Sequence, residues 1–147
     1  MKVRTKWRLV RDIDPAWRWT RILYAYLHPT EPEILYIGKA DGARSDLRTR
    51  WRADDKLKFW RDLERQRSLH SHRVLVGEVH LETERRLSRK LLGDIESLLI
   101  FSAEPWGNIQ SKQSRASRPG LQVRCSGRSW PGPRIVVDKG EEVEWVA

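Results

Sequence analysis

Tyr24 and Tyr36 stand twelve positions apart, each inside a short apolar segment that predicts a β-strand. The turn between them, residues 28–33, holds two prolines and predicts an antiparallel hairpin. Residues whose numbers have an even sum share a face of such a hairpin, and a register that pairs the two tyrosines directly fits the loop length. Two adjacent phenols can serve hydrogen-bond or proton chemistry, although simple cross-strand packing is the plainer alternative.

Three charged side chains could join these phenols. Glu96 lies at the flank of a leucine-rich helical stripe, one turn from Leu92, where its carboxylate could reach the rim of the core and bind a hard cation. Arg50 carries a planar guanidinium that matches two phosphate oxygens. Lys39 follows the glycine turn that ends the second strand. Taken singly, each of the three is more simply explained as a solvated surface residue.

The joint order and spacing of these residues resemble the GIY-YIG nuclease superfamily. The segments that carry the resemblance are Leu23-Tyr24, Tyr36-Ile37-Gly38-Lys39-Ala40, Asp46-Leu47-Arg48-Thr49-Arg50, Glu96, and Asn108 after Pro105. The first two are similar to the paired signature of the family, and the second is especially similar to its form in bacterial excision-repair nucleases. The third matches the helix-borne arginine motif, and the last two match the metal-binding glutamate and the closing Pro-x-x-Asn pattern.

The resemblance implies a metal-dependent endonuclease that hydrolyses phosphodiester bonds of nucleic acid, with DNA favoured over RNA as the substrate. It implies that Glu96 holds one Mg²⁺ or Mn²⁺ ion. Tyr24 would orient the attacking water or act as a base, which requires a lowered pKa, and Lys39 is the candidate cation for lowering it. The expected catalytic residues are Tyr24, Tyr36, Lys39, Arg50 and Glu96, with Gly38 and Asn108 as structural residues and Lys39, Arg48, Arg50 and Arg52 as nucleic-acid-binding residues.

The chain departs from the family pattern at two positions. Ile22 replaces the glycine of the family signature, and Asp54 replaces a histidine that some members carry one helical turn after the arginine. His70 or His72 could substitute for that histidine, but a structural or surface role is favoured for both. Outside the motif region, residues 129–134 could extend a substrate groove or cover a sheet edge.

Apolar periodicity places the motifs on a sequence of strands and helices. Strands are expected at 22–27, 34–37, 73–79, 121–125 and 134–137, with a short one possible at 7–10. A helix capped by Ser45 or Asp46 runs to near residue 67, bent or in two pieces, with Leu57, Trp60 and Leu63 on one face. A second helix, capped by Thr83, carries the leucine stripe and ends before Pro105.

These elements predict an α+β (mixed α/β) fold with a small central, mostly antiparallel sheet flanked by helices. The expected organisation is one GIY-YIG-like domain spanning residues 1–147, with a motif core of about 22–108 and a C-terminal β-hairpin extension from about 109 to 147. The length of 147 residues suits one hydrophobic core.

Composition fits a globular protein with a polyanionic partner. Lys and Arg number 29 against 20 Asp and Glu, a formal charge of +9, which attracts nucleic acid without specifying a sequence. The single cysteine, Cys125, excludes an intramolecular disulfide. The sequence shows neither an apolar run long enough for a membrane span nor a signal-peptide pattern, so a cytoplasmic location is expected.

Two alternatives to an active nuclease stay open. One is a binding module that keeps the fold and the basic surface but has lost catalysis. It is disfavoured because Tyr24, Tyr36, Arg50 and Glu96 are all present. The other is a basic, structural nucleic-acid-binding protein whose motif matches are accidental. A homodimer or a partner protein could supply targeting, since no helix-turn-helix or zinc module is evident.

Overall fold

The computed structural model describes residues 1–42, 44–83, 86–108 and 117–147. These residues form seven strands, three α-helices and one 3₁₀ turn. In chain order they are β1 (Lys2–Leu9), the 3₁₀ turn (Pro15–Arg18), β2 (Ile22–Leu27), β3 (Ile34–Ala40), α1 (Leu47–Trp51), α2 (Asp54–Arg67), β4 (Arg73–Leu81), α3 (Arg89–Ala103), β5 (Gln122–Ser126), β6 (Ile135–Asp138) and β7 (Val143–Val146).

All seven strands join one curled, mixed sheet in the order β3-β2-β4-β1-β5-β6-β7. Neighbouring strands are antiparallel except β1 and β5, which are parallel. The predicted fold class, a small central sheet flanked by helices, is wrong, although most strand pairs are antiparallel as predicted. In the described residues, strands account for 33% of the structure and helices for 28%.

The error arose mainly at the two ends of the chain. Lys2–Leu9 alternates charged and buried residues, the period of a half-buried strand, yet only its last residues were expected to be extended. β1 lies in the middle of the sheet, between β4 and β5. The predicted C-terminal hairpin is consequently an integral part of the sheet, and the predicted boundary at residue 109 falls on residues that lie outside the described part.

The two faces of the sheet pack against different helices. Leu23 and Ala25 of β2 point to one face, where α3 buries its leucine stripe beside β1, β4 and β5. Tyr24 and Tyr26 point to the other face, where α1 and α2 cover them. Residues 129–134 contribute Trp130, which is 1% exposed and stacks on the indole of Trp7 at 4.2 Å between ring centroids, so this segment completes the core under β1.

A side chain caps the first turn of both α1 and α3, but only the cap of α1 is one of the predicted residues. Asp46 caps α1 by accepting from the Thr49 backbone N–H at 2.8 Å, and two consecutive helices, one of the two alternatives, follow it. α3 begins later than expected, because Ser88 rather than Thr83 caps it, accepting from the Leu91 N–H at 3.0 Å. α3 ends at Ala103, before Pro105 as predicted.

Asn108 hydrogen-bonds to the outer edge of β3, where no further strand of the described residues pairs with it. Its buried side chain accepts from the Ile37 N–H at 2.9 Å and donates to the Ile37 carbonyl at 2.8 Å. Both backbone groups point away from β2 and would have no partner in a buried setting. The expected structural role of Asn108 thus has a physical basis.

Replacing Asn108 by alanine should lower the free energy of unfolding by about 2–4 kcal/mol, because it leaves a buried donor and a buried acceptor unsatisfied. Urea unfolding measures the change. Ser102→Ala is the matched control: Ser102 is equally buried, but its hydroxyl only supplements a helical carbonyl at 3.1 Å. Equal losses in the two variants would contradict this account.

Candidate active site

The β2–β3 hairpin sets the position of both candidate tyrosines. Tyr24 lies opposite Gly38, and Tyr26 lies opposite Tyr36, so the predicted direct pairing of Tyr24 with Tyr36 is wrong by two residues. A register irregularity at Leu27 separates the observed pairing from the expected one. A shift of two preserves the side-chain alternation. Tyr24 and Tyr36 therefore share a face as expected, with ring centroids 6.1 Å apart.

Gly38 allows the Tyr24 ring to cross the outermost strand. A Cβ atom at position 38 would lie 2.4 Å from both Cζ and Oη of Tyr24, far inside van der Waals contact. The ring thus lies flat on the backbone of β3, and its hydroxyl extends to the edge of the sheet. This contact accounts for the structural role that was expected of Gly38.

A pocket of about 190 Å³ opens where the Tyr24 hydroxyl emerges. Its lining comes from β2, β3, the following loop, α1 and α3. The residues that line it are Tyr24, Tyr36, Lys39, Asp41, Ser45, Arg50 and Glu96. All five predicted catalytic residues are among them, and Asp41 and Ser45 were not predicted.

The pocket collects side chains from both faces of the sheet because it lies at an edge. Lys39 pairs in register with Leu23 and so points toward α3, and its Nζ would lie 3.0 Å from a Cβ atom at Gly93. Glu96 follows one helical turn later on α3. Arg50 approaches from the opposite face on α1. Around a central strand, side chains from opposite faces would be kept apart by the backbone.

Burial governs the protonation of the phenols. The pKa of Tyr24 is raised, chiefly by burial and then by Tyr36, while a hydrogen bond from Arg50 opposes the shift. The pKa of Tyr36 is also raised by burial. The expectation of a lowered pKa for Tyr24 is therefore not met, and Lys39 is not among the main influences on it. Near neutral pH, Tyr24 keeps its proton and acts as a hydrogen-bonding group.

Glu96 has an unusually high affinity for a proton. Burial raises the pKa of Glu96 to about 7, with Lys39, Arg50 and Lys56 lowering it and Asp41 raising it. Its carboxyl group is thus near half ionised at neutral pH. An added positive charge in the pocket would favour the ionised form.

The acidic groups fit a divalent ion that takes oxygen ligands. Glu96 and Asp41 both face the pocket, and no cluster of three or more His, Cys, Asp or Glu side chains occurs in the described residues. That donor set does not match a structural zinc site, which needs about four protein ligands. It does match Mg²⁺ or Mn²⁺, which commonly binds one or two carboxylates and completes its shell with water and a substrate phosphate.

Arg50 is paired with Asp55 and lies beside Tyr24. Its Nη2 lies 3.2 Å from the Asp55 carboxylate, and its guanidinium lines the pocket together with the Tyr24 hydroxyl, which raises the pKa of Arg50 against the opposing effect of burial. Of the four predicted nucleic-acid-binding residues, Lys39 and Arg50 line the pocket, whereas Arg48 and Arg52 are exposed on and after α1, outside it.

Lys56 is a buried cation beside the pocket that was not predicted. It is 1% exposed, and its Nζ lies 4.7 Å from the Tyr36 ring centroid, 5.6 Å from that of Tyr24 and 3.5 Å from the Asp55 carboxylate. Burial lowers its pKa. The mixed charges around it are typical of a solvated helix. Lys56 nevertheless lies three and seven residues before Phe59 and Leu63, on the buried face of α2. This spacing is the sequence feature that could have predicted its burial.

The histidines do not join the pocket. His72 stacks on Trp60 at 4.2 Å and accepts from the Trp51 indole N–H at 3.2 Å, and burial lowers its pKa to about 4. The side chain of His70 is 73% exposed. The structural and surface roles favoured for them agree with these positions. Asp54 is likewise exposed, at the start of α2.

Tyr26 is a nearby tyrosine whose hydroxyl does not reach the pocket. It is fully buried among aromatic rings two residues from Tyr24 on the same face, and its hydroxyl has no hydrogen-bond partner among the described residues. It does not line the pocket. Tyr26 therefore provides an internal control for any role of Tyr24.

No protein-family model matches this chain, and comparisons with curated proteins and with solved structures also give no match. The resemblance to the GIY-YIG nucleases rests on the motif residues and their spacing. Among the described helices, none combines the length and the apolar character needed to cross a membrane.

Glu96→Gln should change the pH dependence of stability. Since folding raises the pKa of Glu96 from 4.5 to about 7, the folded state binds the proton more tightly and wild-type stability falls as pH rises through this window. The glutamine variant lacks that loss. Its stability relative to wild type should rise between pH 4.5 and 7 by up to about 3 kcal/mol and then level off.

Chemical denaturation at a series of pH values measures this difference, and Glu141→Gln, at an exposed loop position, is the control. A stability difference between Glu96→Gln and wild type that stays constant from acid to neutral pH would refute the burial of this carboxyl group.

Proposed function

We propose that this chain is a metal-dependent endonuclease that resembles the GIY-YIG nucleases and hydrolyses phosphodiester bonds of nucleic acid, DNA rather than RNA. The observation that carries the proposal is the meeting of two phenols, a guanidinium, an ammonium and a carboxyl group in one 190 Å³ pocket. These groups come from four separate elements, β2, β3, α1 and α3, and they are the residues that the sequence motifs single out.

Arg50 would brace the scissile phosphate. Its ion pair with Asp55 positions the guanidinium before substrate binds. A guanidinium held in this way can stabilise the charge that grows on the phosphoryl oxygens at little cost in reorganisation. Lys39 supplies a second positive charge in the same pocket.

Tyr24 would orient the attacking water through its neutral hydroxyl, since its raised pKa argues against a phenolate. Tyr36 adds a second hydroxyl to the same pocket. In the hydrolysis, the water oxygen bonds to phosphorus while the bond from phosphorus to the leaving sugar oxygen breaks. The attacking water gives up a proton to solvent, and the leaving oxygen takes one up from solvent. Orienting the water against this bond is the contribution expected of the pair.

Glu96, with Asp41 beside it, would hold Mg²⁺ or Mn²⁺. When bound, such an ion polarises the phosphate and stabilises the leaving oxygen. The raised pKa of Glu96 makes ion affinity depend on pH, because the carboxyl group must lose its proton to bind the metal.

A cytoplasmic location, and targeting by a homodimer or a partner protein, complete the proposal. The second candidate is a nucleic-acid-binding module without catalysis. It shares the positive charge of the chain but requires neither an ion at Glu96 nor a free hydroxyl at Tyr24. The two candidates therefore differ in the effect of single substitutions in the pocket.

Tyr24→Phe should lower the cleavage rate by at least about 100-fold, because it removes the hydroxyl that positions the water. Tyr26→Phe is the matched control and should retain cleavage, since its hydroxyl is sealed away from the pocket. Glu96→Gln should also abolish cleavage. Labelled single-stranded, duplex, branched and RNA substrates, assayed with Mg²⁺ or Mn²⁺ and with EDTA, measure the rates.

Folding of each variant is checked by thermal unfolding, and binding by gel shift in EDTA. Cleavage by Tyr24→Phe at the rate of Tyr26→Phe would exclude the proposed role of Tyr24. Metal-independent binding without cleavage of any substrate by the wild type would favour the binding module.

A further inference from the structure

Part of the sheet face that carries Tyr24 is not covered by helices. In register, Tyr24 pairs with Val76 of β4, and Val76 pairs with Arg8 of β1, so Arg8 points to the same face as Tyr24. α1 and α2 pack over β2, β3 and the start of β4. On β1, the side chains of this face are exposed along the whole strand.

The uncovered face of β1 is a row of cations. Lys2, Arg4, Lys6 and Arg8 occupy the exposed positions, while the alternate residues are buried against α3. Exposed Arg124 of β5 lies beside Arg4 in the parallel register. At about 3.3 Å per residue, the row from residue 2 to residue 8 is about 20 Å long.

The acidic groups near this row are few. Glu78 of β4 pairs in register with Lys6, Glu82 lines the same surface depression as Lys2, and Asp14 binds Arg8 in a two-bond ion pair at 2.8 and 2.9 Å. The pKa of Asp14 is lowered by this contact, so that pair is already neutralised. Arg4 and Arg124 instead face His80 and Ile135 in register. Like charges so arranged repel one another, and a polyanion would relieve that repulsion.

Stacked arginines link this row to the helix that carries Arg50. The Arg8 guanidinium lies 5.1 Å from the Trp19 ring centroid, and that of Arg48 lies 5.7 Å from Trp17. Trp17 lies in the 3₁₀ turn and Trp19 directly follows it. The turn contacts α1, whose Leu47 N–H donates to the Trp19 carbonyl at 3.1 Å. The cations therefore continue from β1 across the turn to α1.

We propose that Lys2, Arg4, Lys6 and Arg124, with Arg48 as the link, form a docking surface for the sugar-phosphate backbone that flanks the scissile bond. This inference rests on the proposed function and assigns the contacts that hold the substrate outside the pocket. β1 lies three strands from β3, about 14 Å across the sheet. A row 20 Å long spans about six phosphates of each duplex strand. The row has fewer cations than that, so every cation in it can contact a phosphate.

The surface is tested by the salt dependence of DNA binding, in a Glu96→Gln background with EDTA so that cleavage cannot interfere. A fluorescent duplex is titrated between about 50 and 200 mM NaCl, the range in which counterion release dominates. The test variant is Lys2→Gln, Arg4→Gln, Lys6→Gln and Arg124→Gln combined. The control combines Arg61→Gln, Arg65→Gln, Arg86→Gln and Arg89→Gln, four exposed arginines on other parts of the surface.

Both variants lose the same formal charge, so they separate a local surface from a general charge effect. The test variant should reduce the slope of log K against log salt by about 3.6 and weaken binding at least about tenfold, since each of the four lost phosphate contacts removes about 0.9 from the slope. The control should keep the wild-type slope. Thermal unfolding confirms that both variants are folded.

Equal slopes in the test and control variants would overturn the proposal. So would unchanged DNA binding together with reduced binding to phosphatidylserine vesicles, which would assign the row to an anionic lipid surface. Wild-type cleavage is measured separately. Absence of cleavage, with a reduced slope in the test variant only, would reject the proposed hydrolysis and support the docking surface.

Discussion

The close approach of Tyr24 to Gly38 is the contact on which the candidate site depends. Only a residue without a side chain lets a phenol lie on an edge strand at this distance. If the ring could not cross β3, its hydroxyl would remain inside the aromatic cluster, as that of Tyr26 does. The edge position of β3 then brings Glu96 within reach of the same hydroxyl from the opposite face.

Partial burial gives this edge site its electrostatic character. Glu96 and Lys56 are both shifted toward their neutral forms, the first by a raised pKa and the second by a lowered one. Each has partners of opposite charge nearby, so neither shift is as large as burial alone would produce. Arg50 stays charged at the centre, tied to Asp55. The pocket therefore keeps a polar lining in which charged and partly neutralised side chains lie next to one another.

Local features of the fold were readable from the sequence, and long-range pairing was not. The strand Ile22–Leu27, the cap at Asp46 and the buried leucines of α3 follow from apolar spacing and capping chemistry within a few residues. The place of β1 in the sheet depends on a partner more than 100 residues away, and the register of β2 with β3 depends on turn geometry. Motif spacing identified five pocket residues. Lys56 was missed because its neighbours are charged, although its helical position is a buried one.

The parallel pairing of β1 with β5 has a consequence for how the chain folds during synthesis. β1 leaves the ribosome before its neighbours, pairs first with β4, and then waits with one open edge until residues 122–126 appear. An open edge in a nascent chain invites aggregation, and strand lysines and arginines are a known protection against it. We therefore expect the same cations to protect the incomplete sheet. Because β1 and β5 are more than 100 residues apart in the chain, we also expect their pairing to be a late and slow stage of folding.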